Sequence, residues 1–324
     1  AKFMPAYRNR MWDGKIRLFS EQTGKIYVGL LPYIKDYCNK NNVTINIDEG
    51  VEDVRDIVHK SVRDFIGSLR PKSKGKELEI RDYQIDAVYH ALRNHRCLLL
   101  SPTASGKSLI IYSLIRYYNL LLKDKKILIL VPTTSLVEQM YSDFIDYGWK
   151  DEYVHRIYSG HERTTDKPVI VSTWQSLYKM QKKYFDDFGC IIGDEAHLFK
   201  AKSLTSILTK LVDCKYRFGL TGTLDGTQTH RLVLEGLFGS VNKVTSTKEL
   251  MDKKTLANLN IKCIVLKHPE ENGKQLKGAS YAEEIDYLVL QFNRNNFICN
   301  LCDKLSGNTL VLFQLVEKHG MVLH

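Results

Sequence analysis

A short apolar run, Cys97 to Leu100, leads into Ser101-Pro102-Thr103-Ala104-Ser105-Gly106-Lys107-Ser108, and an apolar helical pattern from Lys107 to Leu122 follows. No other feature constrains the chain as much. A buried strand, a tight loop and a helix N-terminus form a cradle for phosphate. The amides of Thr103, Ala104 and Ser105 wrap the ligand, Gly106 permits close approach, Lys107 reaches the terminal phosphates and the Ser108 hydroxyl is suited to Mg2+. Ser101 stands where the commonest pattern has Gly. The plainer alternative is a Ser/Gly turn capping a helix that contains a lysine, and the preceding strand weighs against it.

A second signal lies about 90 residues on, where the apolar run Cys190 to Gly193 ends in Asp194-Glu195-Ala196-His197. Acids at the carboxyl end of a parallel strand sit beside the loop that follows a neighbouring strand. Asp194 is then placed to hold Mg2+ through water, and Glu195 to orient and deprotonate a water attacking a γ-phosphate. Asp and Glu also favour helix starts on dipole grounds alone, so the pair carries weight only together with the phosphate loop. The two together predict ATP hydrolysis.

The surrounding pattern predicts an α/β fold. Helical periodicity over Asp82 to Asn94 and Lys107 to Leu122 alternates with apolar runs at Cys97–Leu100, Ile127–Val131, Val169–Ser172, Cys190–Gly193 and Tyr216–Leu220. Strands buried on both faces and joined by helices make a parallel sheet. Upstream, Lys15–Phe19 and Lys25–Val28 predict a hairpin, Tyr33–Asn39 a helix, Val43–Ile47 a strand and Val51–Leu69 an amphipathic helix. The basic stretch Arg70 to Lys76, with Pro71 and Gly75, reads as a solvated linker. Downstream, Leu259–Leu266 reads as a crossover, Tyr281–Leu305 as a helix and Thr309–Phe313 as a strand.

Composition narrows the function classes. The formal charge of +10 favours a polyanionic partner without naming it. Seven cysteines in 324 residues, an odd number, argue against a secreted disulfide framework and for a reducing interior. Cys299 and Cys302 have the spacing of a zinc pair, but no second pair follows, and two residues of a helix is the simpler reading. No apolar run approaches the ~20 residues a membrane span needs.

The phosphate loop, Asp194-Glu195-Ala196-His197 and Thr221-Gly222-Thr223 resemble motifs I, II and III of the superfamily 2 helicases and translocases of DEAH type. Arg81-Asp82-Tyr83-Gln84, about 20 residues before the loop, is similar to that family's adenine-reading segment, in which Arg81 and Gln84 would contact the base. Val131-Pro132-Thr133-Thr134-Ser135-Leu136, with Gln139 on the next helix, resembles motif Ia; Tyr158-Ser159-Gly160 and Ser172-Thr173-Trp174-Gln175-Ser176-Leu177 stand where the family places further strand-binding loops. The resemblance implies nucleic-acid contact at Pro132, Thr133, Thr134, Ser135, Gly160, Thr173, Trp174 and Gln175, and a coupling role for His197, Thr221 and Thr223. Taken singly, each loop is also explained as a helix cap, and His197 as a buried, satisfied imidazole.

The motifs are specific over Glu77 to Ser240 and looser to His324; among family members the chain is similar to a phage recombination and repair helicase, including Arg8 to Gly29 and Leu234 to Pro269. That resemblance implies an architecture: a RecA-like parallel sheet flanked by helices (77–255), a small N-terminal α+β domain (1–72), and a crossover with the start of a second RecA-like domain (256–324). It also implies ATP and Mg2+ as ligands and remodelling of branched DNA and RNA–DNA hybrids, in the host cytoplasm if phage-encoded. A monomer with no membrane partner is the expectation. Composition and spacing do not show these things. In the N-terminal segment, Arg8, Arg10, Lys15, Arg17 and Lys25 interleave with Tyr7, Trp12, Phe19 and Tyr27, which suits either an accessory nucleic-acid contact or a solvated basic face.

The family's later motifs, with arginines that complete the site, are absent from this sequence, so the expectation is ATP binding with poor hydrolysis. Two readings from other classes remain. A small-molecule phosphotransferase leaves Thr221-Gly222-Thr223 and the basic balance unexplained, and a non-catalytic DNA-binding module has no use for Glu195.

Overall fold

In the computed structural model, the described residues are 5–11, 13–51, 54–158, 160, 162–198, 201–224, 228–257 and 259–324. Trp12 and Ser159, singled out above, lie outside them. The chain divides into two compact units, Ala1–Ala257 and Asn258–His324.

The first unit is built on strands β1 (Arg96–Leu100), β2 (Lys126–Val131), β3 (Val154–Ile157), β4 (Val169–Thr173), β5 (Phe188–Gly193), β6 (Tyr216–Thr221) and β7 (Val241–Lys243). They form one seven-stranded sheet, in the order β7-β1-β6-β5-β2-β4-β3, and every pairing is parallel. The period-two alternation of a pleated strand sorts the apolar side chains onto two faces. Cys97, Leu99, Ile127, Ile129, Val131, Cys190 and Ile192 join one core. Leu98, Leu128, Leu130 and Ile191 join the other.

Helices cover both faces, as a sheet of continuous apolar strands requires. The first core is covered by α2 (His59–Ser68), α3 (Asp82–Asn94), α4 (Lys107–Leu121) and α5 (Thr134–Asp146), and the second by α6 (Ala201–Lys210) and α7 (Gln228–Phe238). The five strands expected between Cys97 and Leu220 and the helices around the phosphate loop are present to within two residues at each end.

The N-terminal segment departs further from expectation. The hairpin is present but short, pairing Phe19–Ser20 with Lys25–Ile26, and a helix α1 spans Leu31–Lys40. No strand forms at 43–47: Asn42 turns the chain at φ 54, the Val43 amide caps α1 on Cys38 O, and Val43 is exposed. The helix expected over 51–69 begins only at His59. Residues 54–58 are irregular, with Val58 extended, the Arg55 amide bonded to Arg93 O at the end of α3 and Ile57 packed on the core. The stretch read as a linker holds a small hairpin, Lys72–Ser73 with Lys76–Glu77, and the Lys74 amide donates to the Asp146 carboxylate at 3.0 Å.

Glycines set the contact between this segment and α7. A Cβ on Gly29 would lie 1.9 Å from Glu235 O, and one on Gly236 3.0 Å from Tyr27 Cβ. Tyr33 adds a hydrogen bond to Glu235 Oε2 at 2.6 Å.

In the second unit the expected helix over 281–305 is two helices, α8 (Tyr281–Leu290) and α9 (Phe292–Lys304), separated by Gln291 in extended conformation. Asn295 Nδ2 donates to Val289 O at 2.8 Å, which satisfies a carbonyl the break releases. Cys299 and Cys302 both lie on α9. The strand expected at 309–313 is absent: the segment is irregular, Leu310 and Leu312 are exposed, and no strand is present among the unit's described residues to pair with it.

Candidate functional site

In a parallel sheet every strand delivers its following loop to the same rim, so strand order decides which loops meet. Because β1, β6 and β5 are neighbours, Ser101–Ser108, Thr221–Thr223 and Asp194–His197 lie side by side. Because β2, β4 and β3 are neighbours, Pro132–Ser135, Thr173–Gln175, Tyr158 and Gly160 do the same on the other half of the rim. The Asp194 amide bonded to Leu130 O at 2.9 Å joins the two halves.

The phosphate loop is pinned from several sides. Ser105 O accepts from Gln84 Nε2 and from Tyr83 OH, each at 3.0 Å, and the Ser101 amide donates to Thr221 O at 2.8 Å. Gly106 caps α4 at φ 81, a left-handed backbone that favours glycine, and a Cβ there would lie 2.3 Å from Gln84 Nε2 and displace it. Ala104 takes φ 62 although it carries a Cβ. A Cβ on Gly222 would sit 3.6 Å from Lys107 Nζ and 3.7 Å from Thr103 N, which puts the Thr221–Thr223 segment directly against the loop.

Lys107 Nζ is ion-paired with Glu195 Oε1, both side chains being mostly buried. Asp194 is 7% exposed and accepts the Glu195 amide at 2.9 Å. Burial pushes its carboxyl up to about 6; Lys107 pulls against that, and the Glu195 charge adds to it. Glu195 itself has φ 48, a left-handed backbone that turns its carboxylate toward Lys107 and His197. Thr221 Oγ1 donates to Thr223 O at 2.7 Å, so in its 2.7 Å contact with His197 Nδ1 the ring nitrogen carries the proton. The same Nδ1 lies 3.4 Å from Glu195 Oε2. Lys107, Glu195, His197, Thr221 and Thr223 thus form one polar chain.

Other expected residues are placed differently. Both ends of the Gln84 carboxamide, expected at the adenine, are engaged: Oε1 accepts the Arg81 amide at 3.0 Å in a capping box of α3, and Nε2 holds Ser105 O. Each end keeps capacity for one further bond. Arg81 Nη1 donates to Tyr83 OH at 2.7 Å. The Ser108 hydroxyl, expected at Mg2+, stands near Asp143 and Tyr147, both of which burial pushes up, and tempers that push. On the other half of the rim Thr133, Thr134 and Ser135 are exposed, whereas Pro132 and Thr173 are buried. Thr133 Oγ1 caps α5 through the Leu136 amide and lies 2.9 Å from Ser135 Oγ. Gln175 Nε2 ties two loops together through Pro132 O at 3.2 Å, and Trp174 is half-buried, edge-on to Tyr178. Gly160 has φ 90.

Tyr83 and Ala104 matter here for reasons sequence reasoning missed. A tyrosine one residue before Gln84 in a helical first turn was the available signal for Tyr83. Nothing in the composition of the loop marks Ala104 for a left-handed backbone.

The donor set suits a magnesium nucleotide: an ammonium, loop amides at the start of α4, a hydroxyl and a buried carboxylate. Among the described residues no group of three or more His, Cys, Asp or Glu could hold a metal. Among the described residues, no helix is long and apolar enough to cross a membrane.

A family described as "Type III restriction enzyme, res subunit" matches residues 77–226. The ATP-dependent DNA helicase uvsW of Enterobacteria phage T4 is 36% identical over 330 residues, covering 99% of this chain, which spans 65% of that protein's length. A crystal structure of the UvsW helicase from bacteriophage T4 superposes with a TM-score of 0.68 at 37% identity, over 75% of this chain and 87% of that one. The DNA 3'-5' translocase XPB2 of Sulfurisphaera tokodaii is 27% identical over 202 residues, 62% of this chain and 44% of that protein. With this sheet, these rim loops and these relatives, the chain belongs to the UvsW-like superfamily 2 helicases.

Proposed function

We propose that the chain is the ATP-binding part of a DNA motor, a helicase or branch-migrating translocase that works in recombination, repair and the processing of forks or R-loops. One observation carries the reading: Lys107, Asp194–Glu195 and Thr221–Thr223 share a rim with the exposed hydroxyls of Thr133, Thr134 and Ser135. Such hydroxyls and helix N-terminal amides suit a sugar-phosphate backbone without reading sequence.

In this reading Arg81, Gln84, Thr103, Ala104, Ser105, Gly106, Lys107 and Ser108 bind ATP, and Ser108 and Asp194 hold Mg2+. Bound Mg2+ would neutralise charge on the phosphates. Lys107 exchanges Glu195 for the terminal phosphate, and the freed Glu195 carboxylate takes a proton from the attacking water. His197, Thr221 and Thr223 couple that exchange to Pro132–Ser135, Gly160 and Thr173–Gln175. Residues 1–72 serve as an accessory nucleic-acid contact, 77–255 as the first RecA-like domain, and 256–324 as the crossover and the start of a second. The substrates are branched DNA and RNA–DNA hybrids, met by a monomer in the cytoplasm of a host cell.

The test is the ATP hydrolysis rate against single strands, duplexes, forks and RNA–DNA hybrids over a range of salt, since phosphate contacts release counterions. Stimulation greatest on forks and hybrids, and weakening with salt, supports the reading. Equal rates with every nucleic acid and with none, together with Mg-ATP binding that no nucleic acid changes, would remove it.

A further inference from the structure

Ser101 carries a side chain where the commonest phosphate-loop pattern has none. That side chain is fully buried, and its Oγ lies 2.6 Å from Ser105 Oγ. Ser105 Oγ donates its one hydroxyl proton to Pro102 O at 2.6 Å, so Ser101 is the donor to Ser105. A directed chain, Ser101 to Ser105 to Pro102, therefore closes the base of the loop. Between its ends sits Ala104 at φ 62, a left-handed backbone that disfavours a residue with a Cβ and persists only where its surroundings fix it. The Ser101 amide is bonded to Thr221 O at 2.8 Å, so one residue fastens the loop both to itself and to the Thr221–Thr223 segment.

We propose that Ser101 is a positioning residue for nucleotide binding: its hydroxyl, acting through Ser105, holds the loop and the left-handed Ala104 in the phosphate-ready form before ATP arrives. The inference rests on the reading of 101–108 as the nucleotide site. Being fully buried, the Ser101 hydroxyl acts through the loop amides rather than on the ligand. A loop ordered in advance loses less conformational freedom on binding, so the benefit appears as ATP affinity.

The experiment is calorimetric titration with Mg-ATP of the wild-type chain and of Ser101→Ala, Ser105→Ala, the double variant, Ser101→Gly and Lys107→Ala, with the thermal midpoint of each ligand-free protein. Breaking a buried hydroxyl chain is expected to weaken ATP binding about tenfold in Ser101→Ala, and at least as much in Ser101→Gly. The double variant should be no weaker than the weaker single variant, because both deletions remove one chain. The ligand-free midpoint of Ser101→Ala should stay near that of wild type, which separates positioning from general stability. Unchanged ATP affinity in Ser101→Ala and Ser101→Gly, or losses that add in the double variant, overturns the proposal while Lys107→Ala still abolishes binding. Wild-type affinity in Lys107→Ala overturns the nucleotide-site reading itself.

Discussion

Lys107 and Glu195, 88 positions apart in sequence, are joined as an ion pair at the rim of the sheet. The proposed chemistry assigns these two groups to different tasks, phosphate binding and water activation. The pair forms because β1 and β5 each lie beside β6, which delivers both loops to one place, and because the left-handed backbone of Glu195 aims its carboxylate inward. In the proposed function the terminal phosphate of ATP competes with Glu195 for Lys107.

Replacing Glu195 with Gln removes one partner of that pair and the proposed base together. Turnover should fall by about 10²- to 10⁴-fold, the usual worth of a positioned general base. ATP affinity should rise severalfold, because Lys107 no longer has to leave a carboxylate. Steady-state hydrolysis and a nucleotide titration read the two effects separately, and a loss of both activity and affinity would contradict the competition.

The Asp194 carboxyl ionises near 3.8 in the unfolded chain and near 6 in the folded one. Between those values the folded chain binds more protons, so this group's contribution to stability falls as pH rises through the window, by about 3 kcal/mol in all. Asp194→Asn should therefore be more stable than wild type at pH 7, with the gap closing as pH drops to 4. Mg-ATP binding should run the other way in the wild type, weakening below pH 6 as the carboxylate is protonated. Chemical denaturation and nucleotide titration over pH 4–8 check both slopes.

Gly29 is held against α7 with no room for a methyl group, since a Cβ would lie 1.9 Å from Glu235 O and 2.8 Å from Gly236 O. Both obstacles are backbone, so nothing flexible can yield. Gly29→Ala should lower the unfolding free energy by about 3 kcal/mol, as overpacking does, or release the N-terminal segment. Denaturation and limited proteolysis distinguish the two outcomes.

Ala104→Gly should do the reverse. Relief of a left-handed alanine is worth about 1–2 kcal/mol, and the added unfolded-state freedom of glycine takes back about 0.4–1 kcal/mol. A net rise of about 0.5–1 kcal/mol in stability is expected. A thermal midpoint below that of wild type would show that the loop gains from the alanine side chain.

The sheet was legible where strands are buried on both faces, because Leu98-Leu99-Leu100 or Ile127-Leu128-Ile129-Leu130 admits few other readings. The edge strand β3 was missed: His155 and Arg156 sit between Val154 and Ile157, and an edge strand needs no continuous apolar run. Strand order was not legible, although it decides which loops meet. Val43–Ile47 and Thr309–Phe313 have strand composition but lack a ladder partner, and pairing rather than propensity makes a strand. The residues 54–58 kept a helical periodicity while their backbone bonded to Arg93 O instead. At the site, motif and spacing picked out Lys107, Asp194 and Glu195, but not the Lys107–Glu195 pairing or the capping duty of Gln84, both of which depend on contacts between distant loops.

In the proposed function the two halves of the rim work as one device. The most direct measurement is the affinity for a fluorescent oligonucleotide with and without Mg-ATP, in wild type and in Lys107→Ala. A change of about fivefold or more on adding nucleotide, lost in the variant, is the predicted result. The same affinity with and without nucleotide in the wild-type chain would contradict it.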